Sequence, residues 1–185
     1  MPVPVSYLPS ILNSSYPCTE RMLLQVQLIR YGQPIASTIA LNDAVIRSAG
    51  GKPAQIVLSD TENDLLDYFC DGFIVSTPTG STAYSMSAGG PILEPQSKAM
   101  VLTPICPHTL VSRSVVLDGE HQIVVKVTNA DHISAHLVCD GADLGVIHND
   151  DAVCISRSTA SLKLVKLYDK SFYHILNEKI SKRLI

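Results

Sequence analysis

Charge of either sign is sparse in this chain: 14 Lys and Arg against 17 Asp and Glu in 185 residues, a formal net charge of −3. That balance gives no electrostatic reason to expect nucleic acid or an anionic membrane surface as a partner. Long apolar runs are missing too, although 46% of the residues are hydrophobic. The uninterrupted stretches fall far short of a membrane-spanning helix. No basic segment leading into an apolar one opens the sequence, so no secretory signal is expected. The cysteines, Cys18, Cys70, Cys106, Cys139 and Cys154, form an odd set without CxxC spacing. They fit reduced thiols in a cytoplasmic protein better than a disulfide framework or a zinc site. Cys70, Cys139 and Cys154 lie in apolar, strand-like runs and read as small buried hydrophobes.

Familiar catalytic frames are absent as well. There is no GxxxxGK phosphate loop and no GxSxG nucleophile frame. His132 and His136 have the spacing of zinc ligands on a helix, but their surroundings read as strand. On a strand they would stand roughly 13 Å apart, too far for one ion. With no third ligand and no HExxH frame, no metal site is expected.

What the chain does have is strand after strand. Residues 22–30 are apolar with partial alternation, a turn at 31–34 follows, and 35–46 is a second apolar segment interrupted by Asn42-Asp43. A third strand at 55–58 precedes a polar turn at 59–64. Beyond residue 100, short β-branched runs at 101–105, 114–117, 122–127, 133–138, 144–147, 152–156 and 162–167 are separated by Asx-Gly and Asn-Asp turns. The expectation is one mainly β, sandwich-like domain over 1–185, with an irregular arm at 1–20 and a helix at 171–185.

The stretch at 71–91 stands apart, since Asp71-Gly72 leads a buried strand into a hydroxyl-rich turn around Gly80 and then a brief helix stopped by Gly89-Gly90-Pro91. A strand feeding a glycine turn and a helix start presents backbone N–H groups to one point. Thr77, Thr79, Ser81 and Thr82 add hydroxyls, and Tyr84 offers a ring face for stacking. A ligand site and a simply capped helix both satisfy this pattern. Asp71 fits either a ligand acceptor or an ordinary Asp-Gly turn. Asn42 and Asp43 are poor strand formers between apolar neighbours, which suits either a bulge or side chains satisfied by a ligand.

Asp71-Gly72, then Ser76-Thr77-Pro78-Thr79-Gly80-Ser81-Thr82-Ala83-Tyr84-Ser85 and Ser87-Ala88-Gly89-Gly90-Pro91, closely resemble the signature of bacterial NAD kinases. Further matches are Glu20-Arg21-Met22, Ala40-Leu41-Asn42-Asp43, Leu102-Thr103-Pro104-Ile105-Cys106-Pro107-His108 and Asp140-Gly141, so the resemblance runs from about Tyr16 to the end. It implies an enzyme that phosphorylates the adenosine 2′-hydroxyl of NAD to give NADP, using ATP or polyphosphate and a divalent metal such as Mg. It also implies a cytoplasmic homo-oligomer. NAD contacts are implied for Asn42, Asp43, Asp71, Thr79, Thr82, Ala83, Tyr84 and Ser87, with the backbone near Cys106 close to the adenine. Asp43 stands where many members carry Glu.

One hallmark of the family is missing. Neither Gly50-Gly51 nor Gly89-Gly90 begins a Gly-Gly-Asp-Gly-Thr loop, the source of the family's general base. The resemblance therefore implies the C-terminal, NAD-binding domain alone, with the N-terminal α/β domain absent and no catalytic residue in this chain. A separate N-terminal half is a possible partner on this view. The alternatives are a non-catalytic dinucleotide-binding or oligomerisation module, or a relative of the diacylglycerol or sphingosine kinases.

Overall fold

The computed structural model describes residues 9, 16–50, 52–60, 64–108, 113–130, 133–166 and 170–182. In chain order the strands are β1 (Cys18–Arg30), β2 (Gln33–Ala40), β3 (Asp43–Ala49), β4 (Ala54–Ser59), β5 (Asp64–Cys70), β6 (Gly72–Ser76), β7 (Ala99–Ile105), β8 (Val115–Asp118), β9 (Ile123–Val127), β10 (Ser134–Cys139), β11 (Ala142–Ile147) and β12 (Ala152–Val165). A 3-10 turn at Gly80–Thr82 and a short helix α1 (Tyr84–Ser87) lie between β6 and β7, and α2 (Phe172–Lys182) follows the last strand.

These strands make two six-stranded sheets, ordered β2-β1-β12-β9-β4-β5 and β11-β10-β3-β6-β7-β8. The pairings in both sheets are antiparallel. The mainly β, sandwich-like expectation holds. Alternation explains how the sheets pack, because successive side chains on a strand point to opposite faces. Leu24, Val26 and Leu28 of β1, Ile56 and Leu58 of β4, and Ile123, Val125 and Val127 of β9 supply one wall of the core. Ala44 and Ile46 of β3, Phe73 and Val75 of β6, and Met100 and Leu102 of β7 supply the other. Cys70 and Cys139 belong to that core, and burial pushes their thiols up to about 11 and about 12. They remain protonated and inert, as small buried hydrophobes should.

Several boundaries differ from those read off the sequence. The segment at 35–46 is neither one strand nor a bulged one: β2 ends at Ala40 in the first sheet and β3 begins at Asp43 in the second. Leu41-Asn42 is where the chain crosses between sheets. β5 was not anticipated, since its Asp64 and Asp67 look like turn residues and it runs almost directly into β6. The two short strands expected at 152–156 and 162–167 are one 14-residue strand, β12. β1 pairs with it on both sides of its polar middle, at Arg157 and below and at Ser161 and above, and the register shift between Met22 and Leu24 falls opposite residues 158–160. β1 starts inside the expected arm, at Cys18, while residues 1–8 and 10–15 of that arm lie outside the described residues, as does His132.

Candidate functional site

The site lies on the outer face of the second sheet. On β3, Asp43, Val45 and Arg47 alternate with the core-packed Ala44 and Ile46 and so share that face. On β6 the same argument places Gly72, Ile74 and Ser76 there, and on β7 Val101, Thr103 and Ile105. The register sets Asp43 opposite Ser76 and Arg47 opposite Gly72. The segment after β6 then folds back across this face, with Ser85 Oγ 3.0 Å from Thr103 Oγ1.

Asn42 and Asp43 are clamped to the hydroxyl-rich turn. Thr77 N–H donates to the Asn42 carbonyl at 2.8 Å, and Thr77 Oγ1 donates to the Leu41 carbonyl at 2.6 Å. Gly80 N–H closes the cycle by donating to Thr77 Oγ1 at 3.0 Å. Part of the hydroxyl set is thereby committed to structure. Ser81 Oγ donates to the Pro78 carbonyl and accepts from Leu93 N–H, and Thr82 Oγ1 donates to the Thr79 carbonyl at 3.2 Å. Two hydroxyl oxygens, Ser76 Oγ and Thr79 Oγ1, are buried without a hydrogen-bond partner. A buried hydroxyl left unmatched is costly, so Ser76 and Thr79 carry hydrogen-bonding capacity that the described residues do not use.

Asp43 is only 7% exposed, and burial, with the nearby charge of Asp140, raises its carboxyl to about 6. Burial penalises the charged form first and a like charge adds to it. The sequence marks Asp140 as a turn residue and, with Gly141, as one of the family matches, without a role. Its carboxylate accepts from Leu41, Asn42 and Asp43 N–H at 2.6, 2.8 and 3.1 Å.

The remaining expected residues gather at the other end of β6, roughly 16 Å along the strand from Ser76. Asp71 and Tyr84 line one pocket of about 220 Å³ with Arg47, Ser48, Lys52 and Ile105. Asp71 is half-buried, with Oδ1 3.3 Å from His108 Nε2. Tyr84 is 40% exposed and free to present its ring. Ala83 and Ser87 are exposed on the connection between the two ends, and Ala83 N–H is already donated to the Gly80 carbonyl. Cys106 follows Ile105 with φ +46°, exposed, beside the pocket and not in its wall. The expected residues therefore fall into two groups on one sheet face, a buried carboxylate-and-hydroxyl cluster and a mixed-charge pocket, and not into one compact cradle. Arg47 and Lys52 were missed. The strand period was their signal in part, because Arg47 is four residues after Asp43 and so on the same face.

Among the described residues no three His, Cys, Asp or Glu side chains converge to hold a metal ion. Asp140, the carboxylate nearest to joining Asp43 in such a role, has both oxygens occupied by backbone N–H groups. These residues do not fit a divalent cation, and no step is derived through one here.

Residues 41–167 match the family described as the ATP-NAD kinase C-terminal domain. An NAD kinase from Natranaerobius thermophilus is 38% identical over 180 residues, covering 96% of this chain and 62% of the relative. One from Symbiobacterium thermophilum is 39% identical, covering 92% of this chain and 60% of the relative. The chain thus spans about three fifths of the length of these curated relatives. Among solved structures, yeast NADH kinase complexed with NADH superposes with TM-score 0.86 at 25% identity, over 95% of this chain and 52% of that one. An NAD kinase from Archaeoglobus fulgidus in complex with ATP gives 0.67 at 27% identity, over 90% of this chain and 61% of that one.

Proposed function

The chain belongs to the NAD kinase family as its C-terminal domain, and on that premise we propose that it is the dinucleotide-holding part of an enzyme that phosphorylates NAD. The transfer goes from ATP or polyphosphate to the adenosine 2′-hydroxyl and yields NADP. The single observation that carries this reading is the mixed-charge pocket that Asp71 and Tyr84 line with Arg47 and Lys52, on the same sheet face as the buried Asp43 carboxylate.

In this reading Asn42 and Asp43 receive the adenosine ribose, whose hydroxyls donate to the Asp43 carboxylate and find acceptors or donors in Ser76 Oγ and Thr79 Oγ1. Thr82, Ala83 and Ser87 line the path between the ends, Tyr84 stacks on a ring, and Asp71 accepts hydrogen bonds with the Cys106 backbone alongside. Arg47 and Lys52 offset the charge of the diphosphate. A hydroxyl attacking a phosphoryl group depends on alignment and charge neutralisation more than on covalent help. This chain supplies alignment. The general base and a divalent metal belong to the remainder of the full enzyme, whether joined to this chain or contributed as a separate half. We further place residues 1–185 in one β-rich domain of a cytoplasmic homo-oligomer. Among the described residues no helix is long and apolar enough to cross a membrane.

Calorimetric titration of the chain with NAD tests the reading directly. Binding is expected, and no detectable heat at high ligand would defeat it. A kinase assay on the chain by itself should give no NADP above background; robust turnover would show that the base lies within these residues after all.

A further inference from the structure

We propose that Asp140 is a positioning residue for the dinucleotide site, fixing Asn42 and Asp43 through three consecutive backbone N–H groups; the role rests on the functional reading above. The chain crosses from one sheet to the other at Leu41-Asn42, so the N–H groups there have no strand partner to donate to. The Asp140 carboxylate takes their place. Leu41 N–H donates to Oδ2 at 2.6 Å, while Asn42 and Asp43 N–H share Oδ1 at 2.8 and 3.1 Å. In return Asp140 N–H donates to the Asp43 carbonyl at 3.1 Å. Bonds from N–H to a carboxylate are the stronger kind, and three of them beside one backbone bond leave these residues little room to shift.

The backbone aims Asp140 there. Its φ is +46° and that of Gly141 is +85°, two left-handed residues in succession. They form the two-residue turn between β10 and β11, closed by the Cys139–Ala142 pair. Asp tolerates this conformation because its side chain is short and polar. The neighbouring pair, Cys139 opposite Ala44, sets β10 beside β3, so the turn falls next to Asp43. In this arrangement Asp140 acts through Asn42 and Asp43, to which its carboxylate is already bonded.

Positioning comes with an electrostatic consequence that mere scaffolding would lack. β10 and its turn bring Asp140 and the protonated Cys139 thiol toward Asp43. β6 and the turn after it bring Ser76 and Thr77, which are uncharged, and on β3 itself the next charge is Arg47, four residues on. Among the described residues, the charge acting on Asp43 is that of Asp140, and it disfavours ionisation of Asp43.

The test is Asp140→Asn in the 185-residue chain. Asn keeps the left-handed backbone and one acceptor oxygen. Amide hydrogen exchange at Leu41, Asn42 and Asp43 should accelerate by about tenfold or more, with β6 and β7 unchanged. The Asp43 carboxyl midpoint, followed by carbon-detected NMR, should fall from about 6 towards the ordinary carboxylate value. NAD affinity should weaken by about tenfold, and the pH below which binding is lost should move down. If the unaltered chain binds NAD while exchange and midpoint are the same in the variant, this inference fails alone. If the unaltered chain binds no NAD, the functional reading fails, and the dinucleotide role of Asp140 falls with it. Should the variant not fold, the unaltered chain decides: an Asp43 midpoint near about 3.9, with rapid exchange at Asn42, would overturn the proposal.

Discussion

Gly80 lies directly against the backbone of Asn42. A Cβ built on Gly80 would collide with the Asn42 carbonyl oxygen and stand 2.7 Å from the Asn42 Cα. Two segments far apart in sequence thus touch backbone to backbone, and this contact holds the hydroxyl-rich turn over the start of β3. The glycine is required by closeness, not by a left-handed φ.

Gly80→Ala must therefore push the turn away from Asn42 and Asp43. We expect a loss of about 1–3 kcal/mol in a urea titration, as for other overpacked positions, together with weaker NAD binding. An unchanged midpoint and affinity would mean that the two segments separate freely.

Asp43→Asn is expected to raise stability at neutral pH while weakening NAD binding. The folded state holds the Asp43 proton more tightly than the unfolded chain, with a carboxyl raised to about 6. Stability therefore falls as pH climbs from about 4 to about 6, and the penalty persists above that. At up to about 3 kcal/mol for two pKa units, the gain in the variant should be clear at pH about 7.5 and vanish at pH about 4. Denaturant curves at the two pH values, compared between variant and parent, measure it.

Arg47→Gln and Lys52→Gln, singly and together, should weaken NAD binding several-fold without unfolding the chain. Neither side chain makes a described ion pair, so removing it breaks no structural contact of that kind. The salt dependence of NAD affinity should flatten as the charges are lost. Equal slopes in parent and double variant would remove these residues from the diphosphate.

Tyr84→Ala should lower NAD affinity with the melting temperature intact, because the ring is 40% exposed and lines the pocket. Unchanged calorimetric affinity would leave Tyr84 as a surface residue.

Away from that pocket, Arg30 holds the buried Asp151 with Nε at 2.8 Å from Oδ1 and Nη2 at 2.7 Å from Oδ2, tying β1 to the β11–β12 connection. The Arg30 hydrogen bond keeps the Asp151 carboxyl below its ordinary value. Its contribution is complete above the ordinary carboxylate range and is lost as pH falls through the depressed folded value. Asp151→Asn should lower the melting temperature by several degrees at neutral pH and reduce the steepness of acid unfolding. Matching acid profiles for parent and variant would contradict this.

Much of the fold was legible in the sequence because alternation and turn chemistry are local. Short β-branched runs and the Asp-Gly and Asn-Asp turns located most strands, and the hydroxyl-rich stretch marked the connection from β6 to α1. β5 was lost because Asp64 and Asp67 carry turn character on an edge strand that tolerates it. The long β12 reads as two strands because its polar middle, residues 158–160, carries no strand pattern of its own, while pairing with β1 on both sides joins the halves.

By itself, then, the sequence determined the family, the β class and the stretch that carries most of the proposed site residues, since each is written in local pattern or motif. Tertiary structure alone decided what joins them. Leu41-Asn42 is a crossing between sheets and Asp43 the start of a new strand, not a bulge, because β2 and β3 bond to different partners. Asp140 reaches back nearly a hundred residues to hold that crossing, and Arg47 comes to share a pocket with Tyr84. Such relations depend on strand register and on which face each strand buries, and neither is fixed until the two sheets pack.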